Sequence, residues 1–180
     1  MNLYINGSNR NKNCYKILSD IKEKDDKLMS LSDKKINYCR GCCSCIKELD
    51  THCIIQDDMQ EIYKGIIDSD KIIIASPIYM NHITGILKNV IDRLNPFSNH
   101  GNLNGKKIYL ILIGQMSEED NEEVVDLVKK FFESISEFME FEFHFVKCLS
   151  SGDIENCDDI TEMYEDYETL VKEIKNEISK

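Results

Sequence analysis

Apolar positions along this chain come in short runs separated by amphipathic stretches, and the two kinds alternate. Leu3–Asn6 reads as a first strand, stopped by Gly7. From Asn13 to about Ile21, Tyr15, Ile17, Leu18 and Ile21 recur at helical spacing. A short second strand is expected between Leu28 and Tyr38, with a cysteine-rich segment directly after it. Asp57-Asp58 can cap a helix that carries Met59, Ile62, Ile66 and Ile67 on one face. Ile72–Ala75 is a four-residue apolar strand, and Ile83, Ile86, Leu87, Val90, Ile91 and Leu94 mark the helix after it. Pro96 and the loop NPFSNHGNLNG then lead to the strand IYLILI at 108–113. A long helix from about Glu119 to Met139 should turn Val124, Leu127, Val128, Phe131, Ile135 and Phe138 inward. FEFHFV at 141–146 alternates strictly, which suits an edge strand with one covered face. A last helix is expected from about Ile160 to Ile178.

Strands that alternate with helices imply right-handed crossovers and a parallel sheet covered on both faces. The expected architecture is therefore α/β, a doubly wound five-stranded sheet in one domain spanning 1–180. In such sheets ligands sit beyond the carboxyl ends of the strands, where the winding reverses.

Composition narrows the partners. The chain has 180 residues, 42% of them apolar, enough for a core without covalent staples. It holds no apolar run of membrane-spanning length and no leader-like N-terminus, so a cytoplasmic location is expected. Structural disulfides would then be out of place. The net charge of −11 argues against nucleic acid or an anionic membrane as partner. Residues 117–180 hold 20 acids and 6 lysines, a net of −14, whereas 1–116 hold 13 acids and 16 bases, a net of +3. An anion would bind in the first two thirds.

The loops at the strand ends carry the candidate chemistry. After the first strand, Gly7 to Cys14 offers a tight turn, the donors of Ser8, Arg10 and Asn13, and then a helix N-terminus. That combination suits a phosphate, although it is neither a P-loop nor a dinucleotide fingerprint. Arg10 is one of three arginines against nineteen lysines, and its planar fork matches phosphate geometry. The third strand ends in Ser76-Pro77-Ile78-Tyr79-Met80-Asn81-His82, a shelf for a planar ring. The fourth ends in Gly114-Gln115-Met116, small and polar where a ligand could approach. A mononucleotide fits this layout, with a flavin the best candidate.

Five cysteines crowd into CRGCCSCIKELDTHC, residues 39–53. The spacing Cys39-x2-Cys42-x2-Cys45-x7-Cys53 wraps one compact body, as in ferredoxin-type 4Fe–4S ligation. Zinc, which favours two separated knuckles, and free or redox-switching thiols stay open as alternatives. Cys43 is a fifth thiol outside this pattern.

The segments INGSNRNKNCYKIL, CRGCCSCIKELDTHCIIQDDMQEI and ASPIYMNHITGILKNVIDR resemble the iron–sulfur flavoproteins, within the flavodoxin-like NAD(P)H-dependent FMN reductase group. The resemblance is strong over roughly residues 3–95. It implies a flavodoxin-like sheet of order 2-1-3-4-5, FMN, NADH or NADPH as co-substrate, and a 4Fe–4S cluster on Cys39, Cys42, Cys45 and Cys53. It places Ser8, Arg10, Asn13 and Cys14 around the FMN phosphate; Cys14 stands where the family usually has threonine, and Asn9 where it has proline. Pro77, Ile78, Tyr79, Met80 and Asn81 would border the ribityl chain and the ring, and Gly114 its pyrimidine edge. Asp92-Arg93 matches a helix end with a structural or interface role. A homodimer or dimer of dimers is implied, with a small molecule or a protein as electron acceptor.

The flavin chemistry belongs to the cofactor, so no side chain is expected to act as catalytic acid, base or nucleophile. Two rivals remain at this level: a cluster-free NAD(P)H quinone, azo or nitro reductase, and a thiol or metal sensor without flavin. His82 borders the ring shelf, while His52 and His144 read as solvated and Cys148 and Cys157 as remote from the cysteine segment.

Overall fold

A computed structural model describes residues 1–47, 53–115, 120–151 and 158–180. His52, Met116, Glu119 and Cys157, which the sequence singled out, lie outside the described residues. Five strands pair in parallel in the order β2-β1-β3-β4-β5: β1 (Leu3–Asn6), β2 (Lys27–Ser30), β3 (Lys71–Pro77), β4 (Lys107–Gly114) and β5 (Glu142–Ser150). This is the flavodoxin-like order expected.

The α-helices among the described residues are α1 (Asn13–Ile21), α2 (Ser44–Lys47), α3 (Met59–Ile67), α4 (Gly85–Asp92), α5 (Asn95–His100), α6 (Glu122–Met139) and α7 (Tyr167–Ser179). The central strands are apolar throughout because both faces are covered. On one face Leu3, Ile5, Ile72, Ile74, Leu110 and Leu112 pack with apolar residues of α3, α4 and α6. On the other, Tyr4, Ile73, Tyr109, Ile111 and Ile113 pack with Ile17, Leu18, Leu170 and Ile174 of α1 and α7. The winding reverses between β1 and β3, and there the strand ends meet.

Three local expectations change. The stretch read as a loop after Pro96 begins with α5, because proline is tolerated in a first helical turn and Phe97 is fully buried there. Its ring meets Tyr63 edge-on at 5.3 Å. The buried face of α6 is Val125, Val128, Phe132 and Met139, while Leu127 and Phe138 are exposed. Apolar residues flank both sides of that stripe, so periodicity alone misplaced its centre by about one residue. The last helix is shorter than predicted: a 3-10 turn at Ile160–Met163 precedes α7, whose start is capped by the Asp166 carboxylate accepting from the Thr169 N–H. β5 is the edge strand anticipated, although His144 does not stand free: it stacks on Tyr109 with ring centroids 4.8 Å apart.

Candidate functional site

The loop after β1 is built around a residue that sequence reading passed over. Asn6 is fully buried, and its amide donates to the Arg10 carbonyl at 3.2 Å, Asn11 Oδ1 at 3.0 Å and Ser30 Oγ at 2.7 Å. Its Oδ1 accepts the Ser8 N–H at 3.1 Å, and Ser8 Oγ accepts the Arg10 N–H at 3.1 Å. A strand-terminal asparagine is a turn signal of its own, because it can bond backbone two residues on; that signal could have found it. Gly7 adds the second constraint. Its N–H bonds the Ala75 carbonyl at 2.8 Å, and a Cβ there would lie 3.0 Å from that same oxygen and 3.1 Å from Leu87. Thr84 closes the frame, capping α4 through the Leu87 N–H and donating to the Gly7 carbonyl at 2.5 Å.

A cavity of about 380 Å³ opens at these strand ends. Ser8, Arg10, Asn13, Cys14, Pro77, Ile78, Tyr79, Met80, Gly114 and Gln115 line it, together with Lys12, Ile113 and Ser151, which the sequence did not single out. Asn81 is not among the lining residues. It is exposed at φ 60° beside Met80 at φ 47°, in a tight turn closed by Tyr79 N–H to His82 carbonyl at 2.8 Å and the reverse bond at 3.1 Å. Two successive left-handed residues are costly unless the surroundings hold them, and such strain gathers at ligand sites. Met80 is 98% exposed at this rim. Gly114 has no room for a side chain, since a Cβ would come within 2.6 Å of Asn121 Nδ2.

Polarity divides the cavity. At its β1 end, Arg10 Nη1 pairs with Asp158 Oδ1 at 3.1 Å and Lys12 Nζ with Asp158 Oδ2 at 2.7 Å, all three half-exposed. These cations, foremost Lys12, hold the Asp158 carboxyl below the usual aspartate range. Asn13 Oδ1 accepts the Ile160 N–H at 3.0 Å, so the start of α1 is tied to the segment before α7. Cys14 is buried, and burial pushes its thiol up, leaving it neutral. At the β3 end the lining is Pro77, Ile78, Tyr79 and Met80. The donor set fits a phosphate at one end and a flat apolar ring at the other, and the volume suits a mononucleotide.

The cysteine loop lies outside this cavity, on the α3–α5 side of the molecule. Gly41 and Cys43 both take positive φ, 61° and 56°, and α2 packs against α5. Cys39, Cys42 and Cys43 are exposed, Cys45 and Cys53 half-buried. Asn95 donates to Cys45 Sγ at 3.4 Å, and the buried guanidinium of Arg93 faces Cys53. Hydrogen bonds from Ser44, the side chain first, pull the Cys42 thiol below its usual range. By donor chemistry the four thiols suit a thiophilic metal centre. Among the described residues no three thiol, imidazole or carboxylate groups are gathered to hold a metal ion.

A family described as NADPH-dependent FMN reductase matches residues 2–135. The chain belongs to that family.

Its curated relatives include an iron-sulfur flavoprotein of Methanocaldococcus jannaschii, 44% identical over 78 residues that cover 42% of this chain and 39% of the relative. An iron-sulfur flavoprotein of Archaeoglobus fulgidus is 41% identical over 76 residues, covering 42% of this chain and 34% of the relative. These matches thus span little more than a third of either relative's length. Among solved structures, the apo form of an NADH:FMN oxidoreductase aligns with 99% of this chain and 86% of its own at TM-score 0.62 and 18% identity. An FMN-dependent NADH-azoreductase from Bacillus anthracis, solved with FMN, aligns with 99% and 97% of the two chains at TM-score 0.62 and 14% identity. These likenesses show the flavodoxin-like fold.

Proposed function

We propose that this family member binds FMN in the strand-end cavity and works as an NAD(P)H-linked flavin oxidoreductase. The observation that carries the reading is the divided cavity itself: Ser8, Arg10 and Lys12 at one end and Pro77 to Met80 at the other, converging from two neighbouring strands at the winding reversal. When bound, FMN would supply reversible one- and two-electron chemistry. The chain's own contribution is orientation. Arg10 and Lys12 neutralise the phosphate, Ser8 and the first turn of α1 add donors, and Pro77 and Ile78 fix the ring by shape. Gln115 and Gly114 offer polar contacts at the ring's far edge. None of these residues needs to act as acid or base.

We propose further that Cys39, Cys42, Cys45 and Cys53 hold a 4Fe–4S cluster, supported by ferredoxin-like spacing, by the donor chemistry and by relatives named iron-sulfur flavoproteins. The described residues do not gather three of the thiols, so the cluster reading rests on spacing, donor chemistry and the names of the relatives. The exposed Tyr79 and Met80 at the cavity mouth suit cover by a second copy, and a homodimer is the proposed assembly.

The experiment is a spectrum of protein purified without oxygen, with FMN, iron and sulfide assayed on the same sample. Bound FMN with about four irons per chain is the expected result. FMN without iron would leave the cluster-free reductase, and protein that takes up no added FMN would overturn the function.

A further inference from the structure

Arg93, just beyond the end of α4, has a side chain 0% exposed, and its partners are not on its own helix. Nη1 donates to the Asn37 carbonyl at 3.1 Å and to Asp57 Oδ2 at 2.6 Å, and Nη2 donates to the Ile55 carbonyl at 3.3 Å. Asp57 Oδ2 also accepts the Asn37 N–H at 2.8 Å and its side-chain amide at 3.0 Å, while Oδ1 accepts the Met59 N–H at 3.1 Å. One turn earlier on α4, Asn89 donates to the Ile36 carbonyl at 3.0 Å. Residues 36–37 and 55–57 are the two feet of the loop that carries Cys39 to Cys53. A single buried cation therefore closes that loop at its base. Among the described residues Arg93 Nε and Asn89 Oδ1, both buried, have no hydrogen-bond partner, so the guanidinium is not saturated by its clamp. The Cys53 thiol and the Tyr63 hydroxyl also interact with it.

We propose that Arg93 is the positioning residue of the cysteine loop: with Asp57 it pins both feet and sets a fixed positive charge beside Cys53, one of the four ligand thiols. The proposal rests on the cluster reading above for its second half, the electrostatic one. A permanent cation beside a thiolate-bound cluster favours the more negative, reduced state, so it raises the reduction potential. Lysine would keep the charge but not the fork that reaches Asn37, Asp57 and Ile55 together.

The test uses oxygen-free protein carrying Arg93→Met or Arg93→Lys, with FMN content as the measure of an intact sheet. In metal-free samples, amide hydrogen exchange at Asn37 should rise at least tenfold in both variants, because both lose the bidentate clamp. In iron-loaded samples, Arg93→Met should either lose iron and sulfide or retain them with the reduction equilibrium shifted about tenfold toward oxidised, near 59 mV for one electron. Arg93→Lys should restore most of that shift. Unchanged exchange at Asn37 in Arg93→Lys overturns the clamp, and an unchanged potential in loaded Arg93→Met overturns the electrostatic role. Wild-type protein without iron sinks the cluster reading instead, and the exchange at Asn37 then still decides the clamp. Should Arg93→Met not fold, Arg93→Lys carries the exchange measurement alone.

Discussion

Two of the three arginines in this chain mark its two candidate sites, and they are built in opposite ways. Arg10 sits on the loop after β1 with its side chain 53% exposed, paired to an aspartate that is equally exposed. Arg93 has no exposure at all, and Asp57, its partner, is 6% exposed. A cation that must meet an incoming phosphate has to stay at the surface, where its present partner costs little to displace. A cation that holds two feet of a loop together must be out of water, where losing the partner is expensive. On the proposed reading the same residue type would serve exchangeable binding in one region and permanent architecture in the other.

The sharpest way to break this contrast is to remove the buried partner. Asp57→Ala strands the Arg93 charge and frees the Asn37 and Met59 N–H groups, so about 3–5 kcal/mol of folding stability should be lost. Denaturant unfolding measures it, and a loss below about 1 kcal/mol would mean that Arg93 does not depend on this pair. Next in size is Arg10→Ala. It should leave stability within about 0.5 kcal/mol, since the residue is exposed. It should weaken FMN roughly ten- to a hundredfold, the worth of one charge-assisted bond to phosphate of about 1.5–3 kcal/mol. Unchanged FMN affinity, read by flavin fluorescence titration, would count against the phosphate end of the cavity.

The two regions also differ in how far the sequence alone could foresee them. The strand-end site was legible because its parts are local: a glycine stop, a polar loop and a helix start are consecutive from Gly7 to Cys14, and Pro77 to Met80 follow one strand. The parallel order was legible for the same reason, since each apolar run announces its own strand. The clamp was not, because the contacts of Arg93 lie 36 and 56 positions away, at Asp57 and Asn37. Nothing in the spacing of cysteines says which helix end closes their loop. Asn6 lies between these cases, local to the loop after β1 yet hidden inside an apolar strand. The inward face of α6 shows the limit of periodicity when Leu127 and Phe138, both apolar, remain in solvent.

Acid offers a gentler test of the buried pair. Burial pushes the Asp57 carboxyl up, but the bonds from Arg93, from Asn37 and from the Met59 N–H outweigh it and hold it below the usual aspartate range. A carboxyl whose folded value is depressed contributes stability that is fully present above its unfolded value and lost as pH falls through the folded one. The pair should therefore be intact at neutral pH and fail only on the acid side of about pH 4. Unfolding free energy followed from pH 6 downward should fall more steeply in the wild type than in Asp57→Asn. Parallel curves would show that Asp57 does not carry the acid dependence.

The smallest effect tests the exposed pair. Asp158 meets Arg10 and Lys12 at the place where a phosphate would need those same cations. A carboxylate carries one charge and a phosphate close to two, so the phosphate wins the exchange, yet it must first release the aspartate. Asp158→Asn removes that competitor and should tighten FMN by a small factor, roughly two- to fivefold, with no measurable change in stability. Salt should shrink the difference, because both pairs are open to solvent and screened over about 8 Å at physiological ionic strength. Weaker FMN in Asp158→Asn would reverse the assignment: the aspartate would then be holding Arg10 and Lys12 in place for the phosphate, and the surface pair would share the architectural role that separates Arg93 from Arg10.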